Sequence, residues 1–151
     1  MEEKKVFRGK FEFTLDAKGR VSIPSKFRDI LQQRYDERLM ITNNDGCIVC
    51  YPMEEWEDLE SKILSMPQSK PEVKAFMRSF FSAVTECQVD RQGRILIPLS
   101  QRSYAKLDKQ VVLIGMLNKI EIWSKEKFDQ EIEGTQENQK AIDEVLAEYG
   151  L

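Results

Sequence analysis

Apolar side chains fall at Phe7, Phe11, Phe13 and Leu15 with polar or glycine residues between them, the two-residue period of a strand with one buried face. Similar runs predict strands near residues 10–16, 19–23, 38–42 and 47–51, and again near 84–90, 93–97, 110–115 and 119–123. Asn43-Asn44-Asp45-Gly46 supplies a hairpin turn rich in residues that tolerate positive φ, whereas Met116-Leu117-Asn118-Lys119 is a less ideal one. Pro24 and Pro98 close strands and pre-set the backbone for helices over 25–33 and 99–106. Residues 53–66 place Trp56, Leu59, Ile63 and Met66 on one helical stripe that stops at Pro67. A second helix opens at Ser69-Lys70-Pro71-Glu72 and carries Val73, Phe76, Met77, Phe80 and Phe81. The last segment is helical, breaks near Gly134 and resumes with Ile142, Val145, Leu146 and Tyr149, an apolar stripe in need of a partner.

The eight strands are two sets of four. Asp16-Ala-Lys-Gly-Arg20-Val-Ser-Ile-Pro24 aligns with Asp90-Arg-Gln-Gly-Arg94-Ile-Leu-Ile-Pro98 at an offset of 74, with Asp, Gly, Arg, Ile and Pro coinciding. Upstream, Phe7, Phe11, Phe13 and Leu15 face Phe81, Thr85, Cys87 and Val89. Downstream, Ile48 to Trp56 faces Ile120 to Phe128 at an offset of 72. A half of this size cannot bury both faces of its own sheet, so the copies are expected to interleave in one pseudo-two-fold unit. The two Asp-x-x-Gly-Arg turns then become symmetry mates.

Composition narrows the function more than the fold. Among the 151 residues there is no histidine, which removes the common catalytic triads, most zinc sites and any histidine general base. Three cysteines argue against a disulfide framework, and Cys47-x-x-Cys50 lies in a strand-like stretch rather than at a helix start. Small core thiols are the favoured reading of that motif, with redox or metal use the minor alternative. No metal, cofactor, small-molecule substrate or catalytic residue is expected. No apolar run approaches the roughly 18 residues that span a bilayer, and the first residues, MEEKKVFRGK, lack the apolar core of a secretion signal, so a cytoplasmic protein without a membrane partner is expected.

The net charge of −3 hides an uneven distribution. Residues 1–28 hold Lys4, Lys5, Arg8, Lys10, Lys18, Arg20, Lys26 and Arg28 against Glu2, Glu3, Glu12 and Asp16, whereas residues 124–151 carry eight acids against three lysines. Lys18, Lys26 and Arg28 surround the first turn in sequence, and Arg91 and Arg102 surround the second. A solvated charged face is the usual meaning of such clusters. Gly19 and Gly93 fill positions where a short loop needs positive φ, and Asp16 and Asp90 are structural, each fixing its loop by a local ion pair. Arg20 and Arg94 are bifunctional candidates: a guanidinium can hold a carboxylate while presenting other N–H groups to phosphate or guanine.

The stretches FRGKFEFTLDAKGRVSIPSKFR, YPMEEWEDLESKI, FFSAVTECQVDRQGRILIP and IEIWSKEKFDQ closely resemble the MraZ family of bacterial proteins, over about residues 5–130. The resemblance implies a β-dominated α+β fold: a duplicated AbrB/SpoVT-like double-split, swapped-hairpin β-barrel with pseudo-two-fold symmetry and peripheral helices. It divides the chain into a first repeat (5–53), a helical connection (54–79), a second repeat (80–124) and an acidic helical tail (125–151), both repeats forming one globular unit. It also implies a nucleoid-associated transcriptional regulator that acts as a ring homo-oligomer on double-stranded DNA, at short direct repeats in the promoter of the division and cell-wall gene cluster. Carried over by position, the DNA-contacting residues are Arg20 first, then Lys18, Arg94, Arg91 and Gln92. The alternative function is a non-enzymatic oligomeric protein-interaction module that uses segment 53–82 or the acidic tail.

Overall fold

Strand β4 (Cys47–Pro52) is buried at every position, and this explains why its sequence is a continuous apolar run rather than an alternation. Ile48 and Cys50 enter one core, while Cys47, Val49 and Tyr51 enter another on the opposite face of the same sheet. The computed structural model describes residues 5–151, so Glu2, Glu3 and Lys4 of the amino-terminal charge count lie outside the described residues. Around β4 the chain runs β1 (Phe7–Thr14), β2 (Arg20–Ser22), α1 (Ser25–Arg34), β3 (Arg38–Asn44), β4, α2 (Met53–Leu64) and α3 (Pro71–Ser82). The second half runs β5 (Thr85–Gln88), β6 (Arg94–Leu96), α4 (Leu99–Tyr104), β7 (Gln110–Leu117), β8 (Ile120–Ser124), α5 (Lys125–Glu137) and α6 (Gln139–Ala147).

The fold is α+β and dominated by its sheet. Six antiparallel strands lie in the order β1-β7-β8-β4-β3-β5, and β2 pairs with β6 in a separate two-stranded ribbon. The order is symmetric about the β8–β4 pair. The first strand of each copy pairs with the third strand of the other, and the second strands pair with each other, so neither half completes a sheet by itself. One core contains Val21 and Ile95 from the ribbon, Ile41, Ile48, Leu113 and Ile122 from the sheet, and Phe27 and Leu31 from α1. The other lies beneath α2 and α3, where Trp56 stacks on Phe80 with ring centroids 5.5 Å apart.

Most predicted elements are present, and the differences have physical causes. β1 starts at Phe7 rather than residue 10, because its ladder with β7 runs from Phe7 opposite Leu117 to Thr14 opposite Gln110. α2 ends at Leu64, which leaves Met66 outside its stripe and exposed. The expected break at Gly134 does not occur. α5 runs through Gly134 and stops at Asn138, whose backbone leaves the helical region and whose side-chain amide donates to the Gly134 carbonyl at 3.1 Å. One glycine costs a helix only about 1 kcal/mol, too little to end it. Asp45 and Gly46 both have positive φ, the conformation expected of the β3–β4 hairpin, and Leu117 adopts positive φ where the β7–β8 connection lacks a glycine.

Candidate nucleic-acid interface

Both Asp-x-x-Gly-Arg turns are built alike. Asp16 Oδ1 accepts hydrogen bonds from the Lys18 and Arg20 backbone N–H groups, each at 2.9 Å, and Asp90 Oδ1 accepts from Gln92 and Arg94 at 2.8 and 2.9 Å. The Gly19 and Gly93 N–H groups close the loops onto the Asp16 and Asp90 carbonyls, both at 3.0 Å. With φ of +89° and +78°, these glycines adopt a backbone that side-chain-bearing residues resist. Each turn also braces the other copy: the Gly19 carbonyl accepts from Ile97 N–H at 2.9 Å, and the Gly93 carbonyl from Ile23 N–H at 2.8 Å.

The aspartates have unequal work. Arg20 Nε donates to Asp16 Oδ2 at 2.8 Å, and Arg94 Nη1 approaches the same oxygen at 3.9 Å, so one carboxylate lies between the guanidinium groups of both copies. Hydrogen bonds from the Arg20 backbone and side chain and from the Lys18 backbone hold the Asp16 carboxyl down at about 2, against an ordinary value of 3.8. The Asp90 carboxyl is lowered chiefly by the Arg94 and Gln92 backbone N–H groups. Arg94 Nε lies 3.4 Å from Asp90 Oδ2 yet makes no hydrogen bond, so the second arginine is the less firmly tied.

Among the sequence-selected residues, Arg20, Arg94, Asp16 and Asp90 therefore converge, and Lys18, Arg91 and Gln92 are exposed at the turn tips. Two neighbours lie elsewhere than sequence proximity places them. Arg28 packs on the second turn and Arg102 on the first: a Cβ at Gly93 would lie 2.6 Å from Arg28 Cζ, and one at Gly19 would lie 2.7 Å from Arg102 Cζ. Arg102 Nε donates to the Ile97 carbonyl at 3.0 Å. These two arginines share the 74-residue offset, and pairing β2 with β6 carries each helix start across to the other copy's turn. The repeat offset held that signal, but only the strand exchange gives it meaning.

Comparison with known proteins bears on the same two repeats. The family model described as "MraZ protein, putative antitoxin-like" matches residues 6–79 and again residues 80–148. The chain belongs to the MraZ family. A protein named transcriptional regulator MraZ from Pediococcus pentosaceus is 44% identical over 147 residues, covering 97% of this chain and 100% of that one. Its namesake from Syntrophobacter fumaroxidans is 45% identical over 148 residues, covering 98% and 99%. A third, from Moorella thermoacetica, is 39% identical over 147 residues, covering 97% and 100%.

The Cys47-x-x-Cys50 pair takes no part in this MraZ-family turn region. Both thiols are buried in β4, where desolvation raises their pKa and suppresses the reactive thiolate. Cys87 is pushed up to about 12 for the same reason.

Proposed function

We propose that this MraZ-family chain is a non-enzymatic, sequence-specific DNA-binding transcriptional regulator whose reading head is the pair of Asp-x-x-Gly-Arg turns. The observation that carries this reading is the convergence of Arg20 and Arg94 on the Asp16 carboxylate, with Lys18, Arg91 and Gln92 exposed around them. Arg20 and Arg94 keep guanidinium nitrogens beyond those that hold the carboxylate, and these meet phosphate oxygens or guanine edges. Lys18 and Arg91 act on the backbone and set register. The names of the relatives support the regulatory role.

The exchanged strands support the finer fold reading, a duplicated AbrB/SpoVT-like double-split barrel with repeats over 5–53 and 80–124, a helical connection over 54–79 and a tail over 125–151. The proposed assembly is a ring of identical subunits on short direct repeats in the promoter of the division and cell-wall gene cluster, in the cytoplasm at the nucleoid. Phe76 is exposed on α3, and Val145 and Leu146 on α6. Set head to tail, with α6 of each copy against α3 of the next and no reciprocal contact, they make a heterologous interface, the kind that closes rings. Several weak subunits on successive boxes then gain affinity through effective concentration.

The test is titration of promoter-repeat DNA at several salt concentrations with the wild type and Arg20→Ala. Affinity is expected to fall about 10-fold or more, with the salt slope reduced by about one if the side chain meets phosphate. Unchanged affinity and slope would remove Arg20 from the interface.

A further inference from the structure

The β2–β6 ribbon pairs equivalent strands, yet its outward face is not symmetric. Val21 and Ile95 point inward, each 1% exposed, so alternation leaves Arg20, Ser22, Arg94 and Leu96 on the outer side. The repeat sets Ser22 against Leu96 and Ser25 against Leu99. Leu96 is 54% exposed and Leu99, the first residue of α4, is 67% exposed. One half of the outer face is thus hydroxylic and the other apolar.

The surroundings of this leucine select its partner. Register places Leu96 directly across from Arg20, and Ser22 directly across from Arg94. An apolar protein surface laid on Leu96 would have to strip water from these guanidinium groups without compensating them. Duplex DNA compensates them with phosphate and guanine acceptors, its major groove admits a two-stranded ribbon, and the thymine C5-methyl is the apolar group displayed there.

Resting on the reading of the turns as a DNA interface, we propose that Leu96 is a specificity-determining residue that recognises a thymine methyl beside the position held by Arg20. Ser22 offers a hydroxyl at the equivalent place, so the two ends of the ribbon read different bases. With Lys18 against Gln92, the face becomes directional. A directional reader suits boxes repeated in one orientation, whereas a symmetric one would demand a palindrome.

The experiment uses a duplex enriched by the wild-type protein from a random-sequence pool, remade with each thymine in turn replaced by uracil, which removes only the methyl group. The wild type, Leu96→Ser and Arg20→Ala are titrated against this set, and their assembly masses are measured by light scattering. Uracil at one box position is expected to weaken wild-type binding about 4-fold, the effect of one buried methyl-sized group. Leu96→Ser is expected to bind the thymine and uracil duplexes equally, with assembly mass and salt slope unchanged. Wild-type binding indifferent to every uracil, or discrimination retained by Leu96→Ser, would overturn the proposal. A changed mass for Leu96→Ser would overturn it too, assigning the leucine to contact between copies. If the wild type enriches no duplex, the DNA reading itself fails. If only the uracil effect is missing while Arg20→Ala binds weakly, that reading stands and the role of Leu96 falls.

Discussion

At Asp16 one carboxylate closes a turn, fixes the Arg20 side chain and approaches Arg94 from the other copy. Its folded pKa of about 2 lies below the ordinary 3.8, so its contribution to stability is complete above the unfolded value and is lost as pH falls through the folded one. The melting temperatures of the wild type and Asp16→Asn, followed by circular dichroism, are therefore expected to differ most above about pH 5 and to converge as pH approaches 2. A gap independent of pH would show that the charge contributes nothing. The turn residues were legible in the sequence because their chemistry is local: aspartate accepting from the next backbone N–H groups, glycine at positive φ, arginine four residues on. Arg28 and Arg102 were misplaced because their contacts depend on which strands pair, and nothing within a few residues of either encodes that.

Among the elements, β1 and β7 show how tightly the exchanged pairing is built. Gly9 stands opposite Gly115, and a Cβ at Gly115 would lie 2.5 Å from the backbone of both Phe7 and Arg8. Backbone cannot rotate aside as a long side chain can, so Gly115→Ala is expected to push the strands apart at a cost of about 1–3 kcal/mol, measured by urea denaturation. Full wild-type stability would mean that the ladder yields there without cost. Most strand and helix identities were legible because period two in β1 and period 3.6 in α2 and α3 are distinct, and because Pro24, Pro98 and Pro71 punctuate the chain. The short, unbroken apolar run of β4 instead reads as a strand through its β-branched residues and the turn before it. The ends of β1 and α5 were not, since ladder partners set the first and a local amide cap sets the second. The need for interleaving could be argued from the size of each half, whereas the order β1-β7-β8-β4-β3-β5 depends on non-local pairing that periodicity does not encode.

For the molecule as a whole, strand exchange means that the spacing between the two turns is set by one shared core rather than by a linker, so each subunit presents both arginines as a fixed unit. The helical tail is built differently. α5 contributes Phe128 to the edge of the second core, but Val145, Leu146, Tyr149 and Leu151 are exposed in or beyond α6, and no residue of α5 or α6 is fully buried. An apolar stripe left open on an otherwise acidic segment contributes little to the subunit that carries it and much to a neighbour that covers it. In the proposed ring, carboxylates placed on this stripe would have to be desolvated at every subunit contact, while in the isolated subunit they remain in water. The double substitution Val145→Glu with Leu146→Glu is therefore expected to leave the circular dichroism spectrum unchanged and to lower the light-scattering mass toward that of a single chain. Binding to a duplex with one box is expected to survive, while the gain from tandem boxes is lost because it depends on linked subunits. An assembly mass equal to that of the wild type would take this stripe out of the ring contact and assign the joining surface to other elements.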